Sequence, residues 1–363
     1  MNAFRALIAL LRSPYLTPVR VNLHGEGDQG AILLPPYLRE AYAHAEEFCR
    51  KLASRVKGAG FLKTMLLRRV GSTIYAGQKT VEKMLTTWRP LLNDKQEPPE
   101  FTQAWADSAW EDDEDEDALV DAADSGEMKS LTDEERAELR AFLLALKSNQ
   151  ERDPKYRMVL ELLREREWLK LGCIIFSQYY DSVFWLAEQL KKDFPEEKIG
   201  IYAGGARSGV MIKGEFTAKP REEIKRMVRE GEVLLLLGTD AASEGLNLQR
   251  LGALINLDLP WNPTKLEQRK GRIQRIGQVR EAVDVFNMRY KDSVEDRVHA
   301  LLSARLQSIH QIFGQIPDVL EAAWVDAALG NIEQAKQIID AVPDKHPFEL
   351  RYHEVRKVPC ESC

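Results

Sequence analysis

Between residues 153 and 290, short apolar runs alternate with stretches of helical period. The runs are Cys173–Phe176, Ile199–Tyr202, Val233–Leu237, Ala253–Leu257 and Val283–Met288. Between them, apolar residues recur three and four apart, as at Leu160, Leu162 and Leu163 and again at Val183, Leu186 and Leu190. A charged helix is predicted near Arg221–Arg229 and another after Pro263. Short continuous strands separated by helices predict a parallel sheet covered by helices on both faces.

The pattern differs on either side of this region. Residues 36–90 read as helices, with Pro36 at a favoured first helical position and Gly58, Gly60, Gly71 and Gly77 breaking the run into short pieces. Residues 91–130 contain Pro98 and Pro99 and then the acidic cluster Glu111–Asp117, which reads as an extended linker. Trp105 and Trp110 are unusual in such a linker. Thr132 and Glu135 form a capping box that restarts helix, and Ser293 and Asp296 form another. After the second box, Val294, Val298, Leu301, Leu302 and Ile309 make one apolar stripe. The expected organisation is a basic helical region at 1–90, an acidic linker at 91–130, a sheet-bearing lobe at 131–290 and a helical extension at 291–363. No repeat of fixed period appears.

Composition changes this picture in one respect. The 363 residues carry 51 basic and 57 acidic side chains, a formal charge of −6, which by itself argues against a nucleic-acid partner. Eleven of the acids, and no base, lie between Asp107 and Glu127. Without that window the remainder carries +5. Nine basic residues and one acid, Glu82, lie between Lys51 and Arg89. Such a stretch is either a solvated face or a surface for phosphates. Four cysteines make no disulfide framework, and a reducing, cytoplasmic setting follows. No run of 18 apolar residues suits a membrane span. Met1–Ser13 is amphipathic and reads as a surface helix or, since no acid precedes Glu26, as an organelle leader.

The densest chemistry lies between Gly238 and Gln278. Strand Val233–Leu237 runs into Gly238-Thr239-Asp240, at the carboxyl end of a parallel strand where α/β sheets carry their ligands. Lys265, Arg269, Lys270, Arg272, Arg275 and Arg280 then place six cations in 16 positions against one acid, Glu267. Arg272 and Arg275, three apart, would share one helical face and make a fork for phosphate oxygens.

These segments resemble the second RecA-like lobe of superfamily-two helicases and translocases of the Swi/Snf-like type. Phe176-Ser177-Gln178 resembles that family's fourth motif, Thr239-Asp240 through Gln249 its fifth, and Gln268 through Gln278 its sixth. The resemblance implies an α/β, RecA-like parallel sheet flanked by helices, with helical extensions at both ends. It implies that Arg272 and Arg275 act as arginine fingers toward ATP and Mg²⁺ bound mainly by a first lobe outside this chain. Gln268, Glu244 and Gly245 would lie near nucleotide. Ser177 and Thr239, with Arg68, Arg69 and Lys79 from the basic stretch, would face nucleic acid, most naturally duplex DNA. Ser177 and Thr239 equally suit the capping of local turns.

Departures from the family pattern matter as much. The string closest to a P-loop runs from Gly71 to Thr80, but Gln78 precedes Lys79, the spacing is one residue off, and no apolar strand leads into it. Asp133-Glu134 starts a helix and does not follow a strand, unlike a metal-binding Asp-Glu box. The chain therefore reads as a second lobe without a first: a fragment, a split product or a stand-alone lobe inactive in ATP hydrolysis alone. A non-catalytic binding module and a remnant of a motor are the rival readings. The insertion Gly204–Lys219 and the tail around Ile316-Pro317-Asp318 resemble bacterial Swi/Snf-like proteins joined to phospholipase-D-like modules. Cys360 and Cys363, with His346 and His353, allow a zinc site arithmetically, although a frayed end suits them better. The acidic window could fold over the basic surface and compete with nucleic acid. Deleting 107–127 should then tighten nucleic-acid binding at low salt, and unchanged affinity in a titration would reduce the window to a solubilising linker.

Overall fold

The structure is a computed structural model. It describes residues 19–25, 30–55, 59–90, 130–243, 246, 248–260, 263–275, 277–291, 293, 296 and 337. In chain order its main elements are β1 (Arg20–His24), α1 (Pro36–Ala53), α2 (Ala59–Ser72), α3 (Ile74–Thr87), β2 (Arg89–Pro90), β3 (Ser130–Leu131), α4 (Asp133–Lys147), α5 (Pro154–Arg164), α6 (Trp168–Leu171), β4 (Cys173–Phe176), α7 (Tyr180–Asp193), β5 (Ile199–Tyr202), β6 (Gly209–Ile212), β7 (Glu215–Ala218), α8 (Arg221–Glu230), β8 (Leu235–Gly238), β9 (Ala253–Asn256), α9 (Pro263–Ile273) and β10 (Ala282–Asn287).

Eight strands form one sheet in the order β1-β10-β9-β4-β8-β5-β6-β7. The pairs from β1 through β5 are parallel, and β6 and β7 add an antiparallel hairpin at the far edge. The four residues of each of β4, β5, β8 and β9 are buried, so their side chains alternate between two dry faces. Cys173 and Ile175 pack under Val159, Leu162, Val183 and Leu186, while Ile174 and Phe176 pack under Ile224, Val228 and Ile273. The α/β reading holds, with a parallel-dominant sheet flanked by helices.

Two features of the sheet depart from the sequence expectation. Residues 20–24, expected in a helical region, form an edge strand whose five residues pair in register with Ala282–Phe286 of β10. The backbone groups of β10 need a partner on that side, and an extended segment supplies one without a long apolar run. The insertion 204–219 is the β6–β7 hairpin, and its turn residues Lys213 and Gly214 both have positive φ, 51° and 87°. That pair fits a tight turn matching the twist of the strands.

The helices α1 to α4 build a second core, from Leu38, Ala41, Ala45, Phe48 and Leu52 of α1 to Leu139, Phe142 and Leu146 of α4. Residues 131–147, expected with the sheet, thus lie against α1, because the apolar stripe of α4 matches that of α1. The capping box of Thr132 and Glu135 is present in both directions, 3.2 Å from Glu135 N to Thr132 Oγ1 and 2.9 Å from Thr132 N to Glu135 Oε2. Acids of this unit also answer the basic stretch. Lys51 donates to Glu138 at 2.9 Å, and Arg55 donates to both carboxylate oxygens of buried Glu135 at 2.8 and 2.6 Å. Lys63 pairs with Glu46 at 2.8 Å. Arg55 also donates to Ser130 O at 2.6 Å, and Arg136 donates to Leu85 O and Trp88 O. With β2 and β3 paired, Arg89 lies beside Ser130 and Pro90 beside Leu131. Residues 91–129, the acidic window included, lie outside the described residues.

Asp153 joins the two cores. Its carboxylate accepts from Lys155 N at 2.9 Å and Tyr156 N at 3.3 Å, capping α5, and from Ile74 N at 2.9 Å at the start of α3. Burial pushes its carboxyl above the usual aspartate range, against the pull of the three amides. A carboxyl whose folded value is raised binds more protons folded than unfolded, so stability should fall as pH rises from the ordinary range through the raised one. Asp153→Ala should abolish that slope and cost about 2 kcal/mol through three lost hydrogen bonds. Urea midpoints across a pH series check both. An unchanged slope in the variant would assign it to another group.

Candidate functional site

β4, β8 and β9 end in register, with Phe176 beside both Gly238 and Asn256. The chain passes from β8 on one side of β4 to β9 on the other, a reversal that opens a crevice at the carboxyl ends of the strands in such sheets. Each strand delivers polar residues there: Ser177 and Gln178 after β4, Thr239 and Asp240 after β8, Asp258 after β9.

Arg269 of α9 binds these ends together. Its side chain is 0% exposed. Nε donates to Asp240 Oδ1 at 2.5 Å, and Nη1 donates to Asp258 O at 3.1 Å and Asn256 Oδ1 at 3.2 Å. The guanidinium lies 5.3 Å from the centre of the Phe176 ring. Asn256 in turn donates to Asn287 of β10 at 2.8 Å. Asp258, also 0% exposed, accepts from Ser177 Oγ at 2.5 Å, Ser72 Oγ at 2.6 Å and Gln178 N at 2.9 Å. Neither Arg269, Asp258 nor Ser72 is among the site residues expected from the sequence. The legible signal was a carboxylate directly after an apolar strand, repeated at Asp240 and Asp258.

The expected nucleic-acid residues divide. Ser177 and Thr239 are each 1% exposed, and Ser177 gives its hydroxyl to Asp258. Ser177 therefore braces the strand ends and does not present its side chain to phosphate. Thr239 holds its place through its amide, 3.1 Å from Tyr202 O. Arg68 donates to Gln178, and Arg69, 7% exposed, stacks 4.3 Å from the centre of the Tyr179 ring. Lys79 is exposed on α3, 3.5 Å from Glu82. Burial of Arg69 and Ser177 comes from the α2–α3 corner, which covers the end of β4.

The cationic stretch also divides. Arg269 is structural, Lys270 pairs with Glu267 at 2.6 Å, and Arg280 donates to Leu171 O at 2.9 Å. Gln268 and Arg275 are exposed and Arg272 is half-buried. The shared helical face expected for Arg272 and Arg275 is not formed, because α9 stops at Ile273. Gln278 ends it by donating to Ile273 O at 2.9 Å and Leu251 O at 3.0 Å. Gly277 follows at φ 88°, where a Cβ would lie 2.7 Å from the Gln249 amide nitrogen. Glu244 and Gly245 lie outside the described residues, as do His346, His353, Cys360 and Cys363.

The string from Gly71 to Thr80 is the end of α2, the N-cap Thr73 and the first turns of α3. A Cβ on Gly77 would lie 2.4 Å from Val70 Cγ2, so this glycine serves helix packing, not the cradling of a phosphate.

Residues 154–277 match the model for the helicase conserved C-terminal domain. This segment is a helicase C-terminal domain. Among relatives, an uncharacterized ATP-dependent helicase YqhH of Bacillus subtilis is 36% identical over 153 residues, 42% of this chain and 25% of that protein. The RNA polymerase-associated protein RapA of Vibrio atlanticus is 28% identical over 189 residues, 45% of this chain and 19% of that protein. The chain thus spans a quarter of the length of the first and less of the second. Two solved structures overlay loosely. The C-terminal part of the Fun30 ATPase domain has a TM-score of 0.44 at 16% identity, covering 87% of this chain and 100% of that one. The Pyrococcus furiosus Hef helicase domain has 0.43 at 14%, covering 79% and 59%.

In this helicase C-terminal domain, replacing Arg269 removes the guanidinium from the buried Asp240 carboxylate and the donor to Asp258 O and Asn256 Oδ1. Arg269→Met should cost about 3–5 kcal/mol in urea unfolding. A loss under about 1 kcal/mol would show that the domain tolerates the open network.

Proposed function

We propose that the chain is the second lobe of a nucleic-acid-dependent ATPase that translocates on or unwinds nucleic acid, with Arg272 and Arg275 as its fingers toward ATP. The observation that carries this reading is the division of the cations around α9. Arg269, Lys270 and Arg280 are engaged within the domain, while Arg275 is exposed just past the helix that carries Arg272. A guanidinium held at a rigid helix end suits charge that develops on a transferring phosphoryl group, a contribution of about 10³–10⁵ in rate in related phosphoryl-transfer enzymes. Gln268 lies one turn earlier on the same helix. ATP and its Mg²⁺ would be held chiefly by a first lobe, since the Gly71–Thr80 string is helical and packed.

For nucleic acid, the proposal shifts from the hydroxyls of Ser177 and Thr239 to the backbone around them and to Lys79 and Arg68. Duplex DNA is the proposed substrate. The β6–β7 hairpin is the insertion behind the narrower likeness to phospholipase-D-linked Swi/Snf-like proteins, and that kinship belongs to the same proposal. A reducing, cytoplasmic setting fits two buried thiols, Cys49 and Cys173, whose values burial raises, that of Cys49 to about 12. Among the described residues no helix is long and apolar enough to cross a membrane.

Assayed alone, the chain should hydrolyse ATP at background rate with or without duplex. Joined to a first helicase lobe, it should gain duplex-stimulated turnover, which Arg275→Ala should reduce by at least about 10³-fold while duplex affinity stays within about twofold. Loss of affinity and turnover together would make Arg275 a nucleic-acid contact. The rival reading, a binding module, predicts duplex affinity that falls steeply with salt and no turnover in any pairing.

A further inference from the structure

The crevice at the reversal between β4 and β9 is filled from within, by the corner where α2 meets α3. Ser72 Oγ donates to Asp258 Oδ2 at 2.6 Å and lies 3.0 Å from Ser177 Oγ and 2.8 Å from Ser182 Oγ. Thr73 Oγ1 lies 2.9 Å from Ser182 Oγ. All of these groups are buried. Asp258 therefore receives two hydroxyls on Oδ2, from Ser72 and Ser177, and the Gln178 amide on Oδ1.

Arg269 stands on the other side of the same carboxylate. Its Nη2 is 3.9 Å from Asp258 Oδ1, while its Nε is 2.5 Å from Asp240 Oδ1. Two buried carboxylates thus face one guanidinium at unequal distances. The donors on Asp258 decide the inequality. With both hydroxyls in place its charge is answered and Arg269 engages Asp240 closely. Without Ser72, Asp258 loses a donor in a place water does not reach, and Arg269 is the adjacent cation able to answer it, with the Gln178 side-chain amide 3.5 Å from Oδ1 as the neutral neighbour. Arg269 belongs to α9, so a shift toward Asp258 turns or loosens the helix that carries Arg272.

We propose that Asp258 is a positioning residue that sets α9, and with it Arg272 and Arg275, according to how the α2–α3 corner is seated. α2 also bears Arg68 and Arg69, joined to Gln178 and stacked on Tyr179. A nucleic-acid phosphate backbone drawing on α2 would act on the finger helix through Ser72 and Asp258. The functional consequence rests on the reading of Arg272 and Arg275 given above.

Hydrogen exchange on the 363-residue chain tests the coupling without nucleotide or nucleic acid, so its failure is distinguishable from failure of that reading. Ser72→Ala should speed exchange of α9 amides by about tenfold and leave α8, packed on the same sheet face, unchanged. Ser182→Ala removes a hydroxyl next to Ser72 but keeps the Ser72–Asp258 hydrogen bond, and should leave α9 unchanged. In an Asp258→Asn background, Ser72→Ala should add nothing at α9. An α9 unmoved by Ser72→Ala, an equal response to Ser182→Ala, or additive effects in the Asp258→Asn background would each overturn the proposal. Should Asp258→Asn fail to fold, the two serine variants decide it.

Discussion

A buried guanidinium between two buried carboxylates organises this molecule. A charge removed from water is costly unless it is paired and hydrogen-bonded, and Arg269 is held by groups from three different strands. Asp240 follows β8, Asn256 and Asp258 belong to the end of β9, and Phe176 ends β4. Once Arg269 is in place, the carboxyl edge of the sheet and α9 have little freedom relative to each other. Asp258 carries the constraint further, to Ser72 in the helical unit. The sheet and the α1–α4 bundle, two separate apolar cores, are thereby joined by polar contacts, Asp258 with Ser72 and Asp153 with Ile74.

The same physics sorts the cations. The basic stretch from Lys51 to Arg89 read equally as a solvated face or a surface for phosphates; in the structure Lys51 and Arg55 are met by carboxylates of α4 and Lys63 by one of α1. Exposed pairs of this kind contribute little to stability, but they remove free positive charge from the surface. Arg55 differs, because Glu135 is 1% exposed and also closes the capping box. Only the three-dimensional arrangement shows that the acids answering these bases come from both sides of the 91–130 segment.

Much of the sheet was legible in the sequence. The five parallel strands from Cys173 to Met288 are apolar runs too short for helices, and both capping signals were visible as residue types at fixed spacing. At the second of them Asp296 N donates to Ser293 Oγ at 3.1 Å, while the Asp296 carboxylate accepts from Arg289 Nε at 2.6 Å. Strand β1 was not legible, because an edge strand is held by backbone pairing and Arg20–His24 has no run of apolar residues to announce it. The hairpin at 209–218 was seen as an insertion but not as strands, since its outer strand is exposed and polar. The placement of α4 was missed because an amphipathic stripe says that a helix packs, not against what.

At the candidate site, Ser177, Thr239, Arg272 and Arg275 lie within the matched domain. Local sequence determined that strands end in Ser177, Thr239-Asp240 and Asn256-Leu257-Asp258, that a cationic helix follows, and that apolar periodicity puts a sheet between helices. These are properties of neighbours along the chain. Only the tertiary structure decided which cation is buried, which hydroxyls turn inward, and where α9 stops. Those outcomes depend on desolvation and on partners up to 186 positions apart, as between Ser72 and Asp258. Arg269 and Arg275 are the same residue type in the same motif. One is enclosed by the strand ends and the other lies beyond the helix, and no local pattern distinguishes them.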